Sequence, residues 1–301
     1  MPAGQDASLN EMGINLYLQP MDSLKSERVK LKAKRTFLSK GTCSRTFFYI
    51  LDREFGHPRE EEEKAIDPMA GGILQQGYQC GMLWGASMAV GAEAFRRNEH
   101  AGRATGLAIL ATRRIMDSFV QRTDSIECED ITRCDFTRKK GLIKFLLSGR
   151  FVGCFRLAGR WAPEALRAAG EGLARKQEEL PEESLSCASE VVLKMGGSKE
   201  EMMMVAGFAG GLGLSGSGCG ALAAAIWKNA LIHNRKEKVK SASFDVHNDP
   251  TLLAFYEETD YEMECHTICG QRFDALEAHT EFIRKGGCSK LIDALANTKI
   301  S

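Results

Sequence analysis

Residues 70–86 read AGGILQQGYQCGMLWGA, and residues 209–225 read AGGLGLSGSGCGALAAA. Eight identities and one Ile/Leu exchange relate the two segments at a constant offset of 139 residues. Self-similarity at a fixed offset is the signature of an internal duplication, in which each copy supplies one structural unit. We therefore predict that the chain contains two related units, each built around a Gly-rich stretch that leads into a Cys-Gly pair.

The other cysteines are arranged in parallel around these two segments. Each copy has one cysteine upstream of the Cys-Gly pair and two downstream, at similar spacings. The corresponding residues are Cys43, Cys80, Cys128 and Cys154 in the first copy, and Cys187, Cys219, Cys265 and Cys288 in the second. Cys134 and Cys269 are additional and do not superpose cleanly on each other. The duplication therefore preserves four cysteines per copy.

Length and composition are those of an ordinary globular protein. The 301 residues suffice for two domains, and 44% hydrophobic residues can form a sizeable core. We predict an N-terminal extension over residues 1–36, a first cysteine-rich helical repeat over residues 37–180 and a second over residues 181–301. Because Lys+Arg and Asp+Glu both number 40, no net charge attracts the chain to nucleic acid or to a membrane, and we expect neither as a partner.

The ten cysteines are informative because of the expected compartment. The N-terminus lacks a secretory signal, and no apolar stretch is long enough to cross a bilayer, so a cytoplasmic location is expected. In a reducing compartment structural disulfides are rare. Metal ligands or reactive thiols are the better interpretation of these cysteines.

The sequence predicts a mainly α fold. Residues 44–56 and 188–197 have the pattern of amphipathic helices that end at glycine, and acidic runs after them suit the first turn of another helix. Further helices are expected near residues 100–121, 155–177, 219–240 and 272–285. We expect two pseudo-symmetric repeats packed together, so that the chain is a monomeric pseudo-dimer or forms a homodimer.

Cys80 and Cys219 are candidate reactive thiols. Each follows a Gly-containing loop and is expected to begin an apolar helix, where backbone N–H groups and the helix dipole lower a thiol pKa. One such cysteine would more often be a buried residue in a small-residue packing seam. Two at equivalent positions, each with three equivalent companions, favour a functional role.

Four thiolates fit a tetrahedral zinc site or an iron–sulfur cluster. Neither the CxxC spacing of common zinc sites nor the compact CxxCxxC run of bacterial ferredoxins occurs. Ligands dispersed over about 100 residues imply a pocket built by several helices, or else two dithiol pairs. Cys134, Cys269 and His266 are accessory ligand candidates. A GxGxxG pattern at residues 211–216 lacks the preceding strand that dinucleotide binding requires.

The order of these motifs resembles the redox-active C-GCAxxG-C-C family. The shared features are a cysteine, a Gly-rich stretch ending in CGxLxGA, a cysteine before an acidic or polar turn, and a final cysteine before an alanine-rich helix. Members are small bacterial and archaeal proteins, and a similar module accompanies an iron–sulfur centre in split-Soret cytochromes. The resemblance covers about residues 40–170 and 183–298, and it implies redox activity. Met82 and Ala224 depart from the motif.

By position, the resemblance assigns the four family cysteines to the eight paired cysteines given above, four in each copy. It leaves three functional hypotheses. The first is an iron–sulfur electron-transfer protein, with one cluster per copy or one shared, which requires a redox partner protein. The second is a thiol–disulfide enzyme or sensor that uses Cys80 and Cys219. The third is an interaction module held together by structural zinc. The basic stretch at residues 25–35 is a candidate docking site for an acidic redox partner.

Overall fold

A computed structural model of the chain describes residues 23–237 and 249–298. Within these ranges the fold is helical and has no β-strand, apart from isolated bridges that join Gln79 to Glu127 and Gly218 to Glu264. The mainly α prediction is therefore confirmed. Residues 1–22 of the predicted N-terminal extension lie outside the described residues.

The first repeat and the segment before it form helices α1 (Ser23–Lys40), α2 (Cys43–Phe55), α3 (Glu60–Ala65), α4 (Gly81–Arg97), α5 (Ala101–Thr123), α6 (Cys128–Thr132), α7 (Lys139–Leu147) and α8 (Arg150–Leu173). The second repeat forms helices α9 (Cys187–Lys194), α10 (Lys199–Met204), α11 (Gly220–Glu237), α12 (Pro250–Thr259), α13 (Cys265–Ile268), α14 (Leu276–Arg284) and α15 (Ser289–Ala296). Short 3₁₀ turns at Asp67–Met69 and Ala206–Phe208 occupy equivalent places in the two repeats.

Helix α1 continues across the predicted boundary at residue 36. Its buried residues Val29 and Ala33 pack against the first repeat, where α1 contacts α2 and α8. The basic stretch of residues 25–35 is thus part of a helix that is attached to the first repeat by its apolar side. Its charged side chains occupy the remaining face.

The glycine stop signals at the ends of α2 and α9 are confirmed. Gly56 follows α2 with φ +84°, and its N–H donates to the Arg53 and Asp52 carbonyls, which caps the helix end. Gly196 lies two residues after α9 with φ +72°. Glycine adopts this left-handed conformation without the steric cost that a Cβ imposes.

The two repeats are packed together crosswise. Helix α4 of the first repeat contacts α10 and the Ala206–Phe208 turn of the second, while α11 contacts α3 and the Asp67–Met69 turn of the first. Trp84 of α4 meets Phe208 edge-to-face, with ring centroids 4.9 Å apart. Each Gly/Ala-rich helix is therefore buried against the short helices of the other repeat.

One glycine makes this close approach possible. A Cβ atom at Gly91 of α4 would collide with the Met204 carbonyl oxygen and lie 2.6 Å from that of Met203, both in α10. Small residues at helix crossings let backbones approach in this way. Among the described residues, no helix is long and apolar enough to span a membrane.

Candidate redox sites

A short backbone bridge in each repeat sets two cysteines side by side. In the first repeat the Cys80 N–H donates to the Ile126 carbonyl at 2.7 Å, and the Cys128 N–H donates to the Tyr78 carbonyl at 2.7 Å. In the second repeat Cys219 donates to Met263 at 3.1 Å and Cys265 donates to Ser217 at 2.7 Å. The same hydrogen bonds thus bring together cysteines that are more than 40 residues apart in sequence.

A left-handed turn precedes each bridge. Residues 71–75 and 210–214 all have positive φ angles, between +50° and +79°. Only glycine fits at Gly72, because a Cβ atom there would lie 2.6 Å from the Gly77 carbonyl carbon. Such a turn costs residues other than glycine about 1–2 kcal/mol each, and such strain concentrates at functional sites.

The left-handed turn presents backbone N–H groups to sulfur. The Gly71 N–H hydrogen-bonds the Cys43 thiol group, and the equivalent Gly210 N–H hydrogen-bonds Cys187. The turn therefore supplies a fixed hydrogen-bond donor to the first cysteine of each repeat. Donors of this kind stabilise negative charge on a thiolate or on a cofactor attached to it.

The four paired cysteines of the first repeat line one cavity of about 440 Å³. Cys43 is the first residue of α2, Cys80 precedes α4, and Cys128 is the first residue of α6, whereas Cys154 lies within the first turns of α8. Apolar side chains complete most of the wall, and these are Leu74, Met82, Ile131, Phe136, Leu142, Phe145 and Leu157. Sulfurs from four separate elements thus face a common space.

Cys43 and Cys80 of the first site have pKa values shifted in opposite directions. The Cys80 thiol donates a hydrogen bond to Cys43 and lowers the Cys43 pKa, as do the backbone N–H groups of Gly71 and Ser44. The same hydrogen bond, together with burial, raises the pKa of Cys80. Burial also raises the pKa of Cys154 to about 12. In the absence of a bound ion, these directions favour Cys43 over Cys80 as the ionised sulfur.

The second site is lined by the four paired cysteines of its repeat and by Cys269, and it encloses only about 10 Å³. The Cys269 Sγ atom lies 3.8 Å from that of Cys265 and 3.6 Å from that of Cys288. Burial raises the pKa of Cys187 and of Cys219 to about 12. Cys219, like Cys80, is therefore held as a neutral thiol when no cation is bound.

The accessory candidates occupy different places. Cys134 is buried in an apolar cluster with Cys128 and Phe136, outside the cavity lining, whereas Cys269 joins the second site. His266 is not in the lining of the second site. Its Nδ1 atom donates to the Gly216 carbonyl at 2.9 Å.

Two site residues were not found from the sequence. Asp67 lines the first cavity and accepts a hydrogen bond from Thr42 at 2.6 Å. His279 lines the second site, and burial lowers its pKa to about 4, so that it is neutral at pH 7. Its one sequence signal is that a histidine falls on the apolar side of the predicted helix at residues 272–285.

The two sites are connected by a polar contact between the repeats. The Gln79 amide donates to Glu127 at 3.0 Å and to Glu264 at 3.3 Å, and each glutamate directly precedes a site cysteine. Gly218, the counterpart of Gln79, leaves room for this side chain, since a Cβ atom there would collide with it. Burial, together with the neighbouring Glu264 charge, raises the pKa of Glu127 to about 7.

This raised pKa predicts a pH-dependent stability. Between about pH 4.5 and pH 7 the folded chain keeps a proton on Glu127 that the unfolded chain releases, so the free energy of unfolding falls as pH rises through this window. Glu127→Gln keeps an acceptor for Gln79 and removes the charge. We expect this variant to gain about 1–2 kcal/mol over the wild type at pH 8 and little at pH 4.5, in urea unfolding, after allowing for partial solvent screening.

The control for this prediction is Glu129→Gln, which changes an exposed carboxylate two residues away. The control should not alter the pH dependence. An equal gain of Glu127→Gln at both pH values would show that Glu127 is not protonated preferentially in the folded state.

The fold and the sites define a helical protein with two cysteine-lined sites related by duplication. The family model described as "Putative redox-active protein (C_GCAxxG_C_C)" matches residues 42–162 and 184–299, which together cover most of the chain. The chain belongs to this family and contains it in two tandem copies, which confirms the resemblance seen in the sequence. The family assignment gives the chain a general redox role. No curated protein and no solved structure matches it.

Proposed function

We propose that the first repeat binds an iron–sulfur cluster through its four paired cysteines and that the chain transfers electrons to and from a partner protein. The observation that carries this proposal is the convergence of Cys43, Cys80, Cys128 and Cys154 on one cavity of about 440 Å³. Four cysteine ligands are the usual set for a cluster. The cavity is largely apolar otherwise, which suits a group that must be kept from water.

The donor set fits a cluster better than a single ion. Among residues 23–237 and 249–298, no group of three or more His, Cys, Asp or Glu side chains converges closely enough to hold one metal ion. A cluster contains several metal atoms and can take thiolates that stand farther apart, because each ligand binds its own iron. The spacing therefore supports a cluster over the zinc hypothesis in the first repeat.

The residues around the cavity favour the negative charge of a thiolate-bound cluster. Cys43 begins the 13-residue helix α2, and Cys80 precedes the 17-residue helix α4, so the positive ends of two helix dipoles face the site. The Gly71 N–H adds a hydrogen bond to the Cys43 sulfur. When bound, a cluster would supply one-electron chemistry, and these groups would set its potential.

Helix α7 forms part of the cavity wall. Leu142 and Phe145 line the cavity from this helix, while Leu146 and Leu147 are exposed, the latter to 84%. Residues 138–156 contain six basic and no acidic residues. A basic rim around an exposed apolar patch fits an acidic partner protein, which could approach within the thickness of one helix.

The direct test is a redox titration of protein purified without oxygen. We expect broad absorption near 400 nm that bleaches on reduction and returns on oxidation, with about one electron per chain. Folded protein that is colourless, contains no iron and takes up no electron in this titration would contradict the proposal.

A further inference from the structure

The second site cannot hold a cluster in the way proposed for the first. Its space of about 10 Å³ is about that of one water molecule, against about 440 Å³ around the equivalent cysteines. Phe282, Ile283 and His279 line this small space. A cluster would require these side chains and the sulfurs to move apart.

The sulfurs of the second site are instead in contact with one another. Cys269 lies between Cys265 and Cys288, at Sγ–Sγ distances of 3.8 Å and 3.6 Å. A disulfide bond has an S–S length of about 2.05 Å, so the closer pair would have to approach by about 1.6 Å. Movements of this size are available to side chains in loops and at helix ends.

Among the cysteines of the second site, Cys269 and Cys288 are the pair best placed to form a disulfide. Cys269 follows the short helix α13 as its C-cap, and Cys288 precedes α15 with a left-handed φ of +59°. Both are partly exposed, whereas the three other cysteines of the site are buried. A small thiol reagent therefore reaches this pair before the rest.

We propose that the second repeat has a separate thiol–disulfide activity, in which Cys269 and Cys288 form a reversible disulfide by exchange with a low-molecular-weight disulfide such as glutathione disulfide. One cysteine loses its proton to solvent, and its thiolate attacks the small disulfide and releases one small thiolate, which takes up a proton. The other cysteine then attacks the resulting mixed disulfide, which forms the Cys269–Cys288 bond and releases a second small thiol. The two cysteines lose two electrons, the small disulfide gains them, and both protons end on the released thiols.

A single zinc ion is the competing occupant. Thiolates around zinc stand about 3.8 Å apart, as follows from Zn–S bonds of about 2.3 Å in a tetrahedron. Cys269 contacts the sulfurs of Cys265 and Cys288 one on one, at 3.8 Å and 3.6 Å, and so links them through itself. This arrangement suits pairwise bonding better than a shared ion.

The test uses the full chain, purified without oxygen and equilibrated with mixtures of reduced and oxidised glutathione. Free thiols are blocked at each ratio, and the disulfides are mapped by peptide mass spectrometry. We expect a Cys269–Cys288 disulfide that forms and disappears reversibly. Cys269→Ser should abolish the internal disulfide and leave Cys288 as a mixed disulfide with glutathione, because the resolving thiol is gone.

Cys134→Ser is the matched control, since it removes the additional cysteine of the other repeat; it should leave the Cys269–Cys288 disulfide intact. Cys288→Ser is the second variant, and helicity of each variant is checked by circular dichroism. Absence of the Cys269–Cys288 disulfide at every ratio would overturn the proposal, as would one equivalent of zinc that is lost in Cys269→Ser. The visible absorption of the first repeat should persist in Cys269→Ser, so this test and that of the cluster can fail separately.

Discussion

Cys80→Ser is expected to lower the iron content and the visible absorption of the anaerobically purified protein at least about tenfold. Cys80 lies at the centre of the first site, where it is bridged to Cys128 through the backbone of residues 78–80 and 126–128 and hydrogen-bonded to Cys43. Serine nearly keeps the size of the side chain, but its oxygen is a poor ligand for iron in place of thiolate. The measurement is iron content together with the absorption spectrum.

Two control variants make this result specific. Cys134→Ser removes a buried cysteine that lies close to the cavity but outside its lining, and it should leave iron content unchanged. Cys219→Ser changes the equivalent of Cys80 in the second repeat and should also leave iron content unchanged. If Cys219→Ser and Cys80→Ser reduce iron equally, the two repeats share the cofactor or each hold one, and the assignment to the first repeat is wrong.

Gly91→Ala is expected to destabilise the chain by about 1–3 kcal/mol, because its added methyl group meets the α10 backbone, which cannot retreat as a flexible side chain can. The new Cβ atom would collide with the Met204 carbonyl oxygen and lie 2.6 Å from that of Met203. The free energy of unfolding in urea measures the effect. Since Gly91 lies at the contact between the repeats, the decrease in the free energy of unfolding measures how closely they pack there.

The matched control is Gly153→Ala in helix α8. No atom lies within 4 Å of a Cβ built at this exposed helical glycine, so alanine should stabilise the chain by about 0.5–1 kcal/mol through its better helix propensity. Gly→Ala is thus expected to lower the free energy of unfolding at position 91 and to raise it at position 153. A neutral or stabilising result for Gly91→Ala would contradict the close approach of α4 and α10.

Much of the fold could be predicted from the sequence because its signals are local. Glycines after α2 and α9, acidic first turns in α3 and α10 and the apolar helices after Cys80 and Cys219 each report on a few neighbouring residues. The duplication is also visible, because the left-handed turns need glycine at fixed positions. These constraints act within one turn or one helix, where sequence spacing and distance in space are closely related.

The difference between the two sites could not be predicted, because it depends on packing between distant elements. Cys134 and Cys269 follow their partner cysteines by similar spacings, yet only Cys269 joins a site. Helix α8 has 24 residues and its counterpart α15 has 8, so the walls around the final cysteine of each repeat differ. No residue pattern within one copy contains this information.

The opposite pKa shifts of Cys43 and Cys80 also depend on tertiary structure. A helix N-terminus favoured Cys80 in the sequence, but Cys43 also begins a helix and in addition accepts hydrogen bonds from Cys80 and from the Gly71 N–H. The second contact comes from a turn 28 residues away in sequence. Such a hydrogen bond forms only in the folded structure, and the spacing of residues in the sequence does not predict it.

Metal analysis of the wild-type protein shows whether the first repeat holds an iron–sulfur cluster. Iron, acid-labile sulfide and zinc are determined per chain on protein purified without oxygen. We expect iron and sulfide in equal amounts, at the stoichiometry of one cluster per chain, with no zinc. Folded protein that contains neither iron nor sulfide would contradict it.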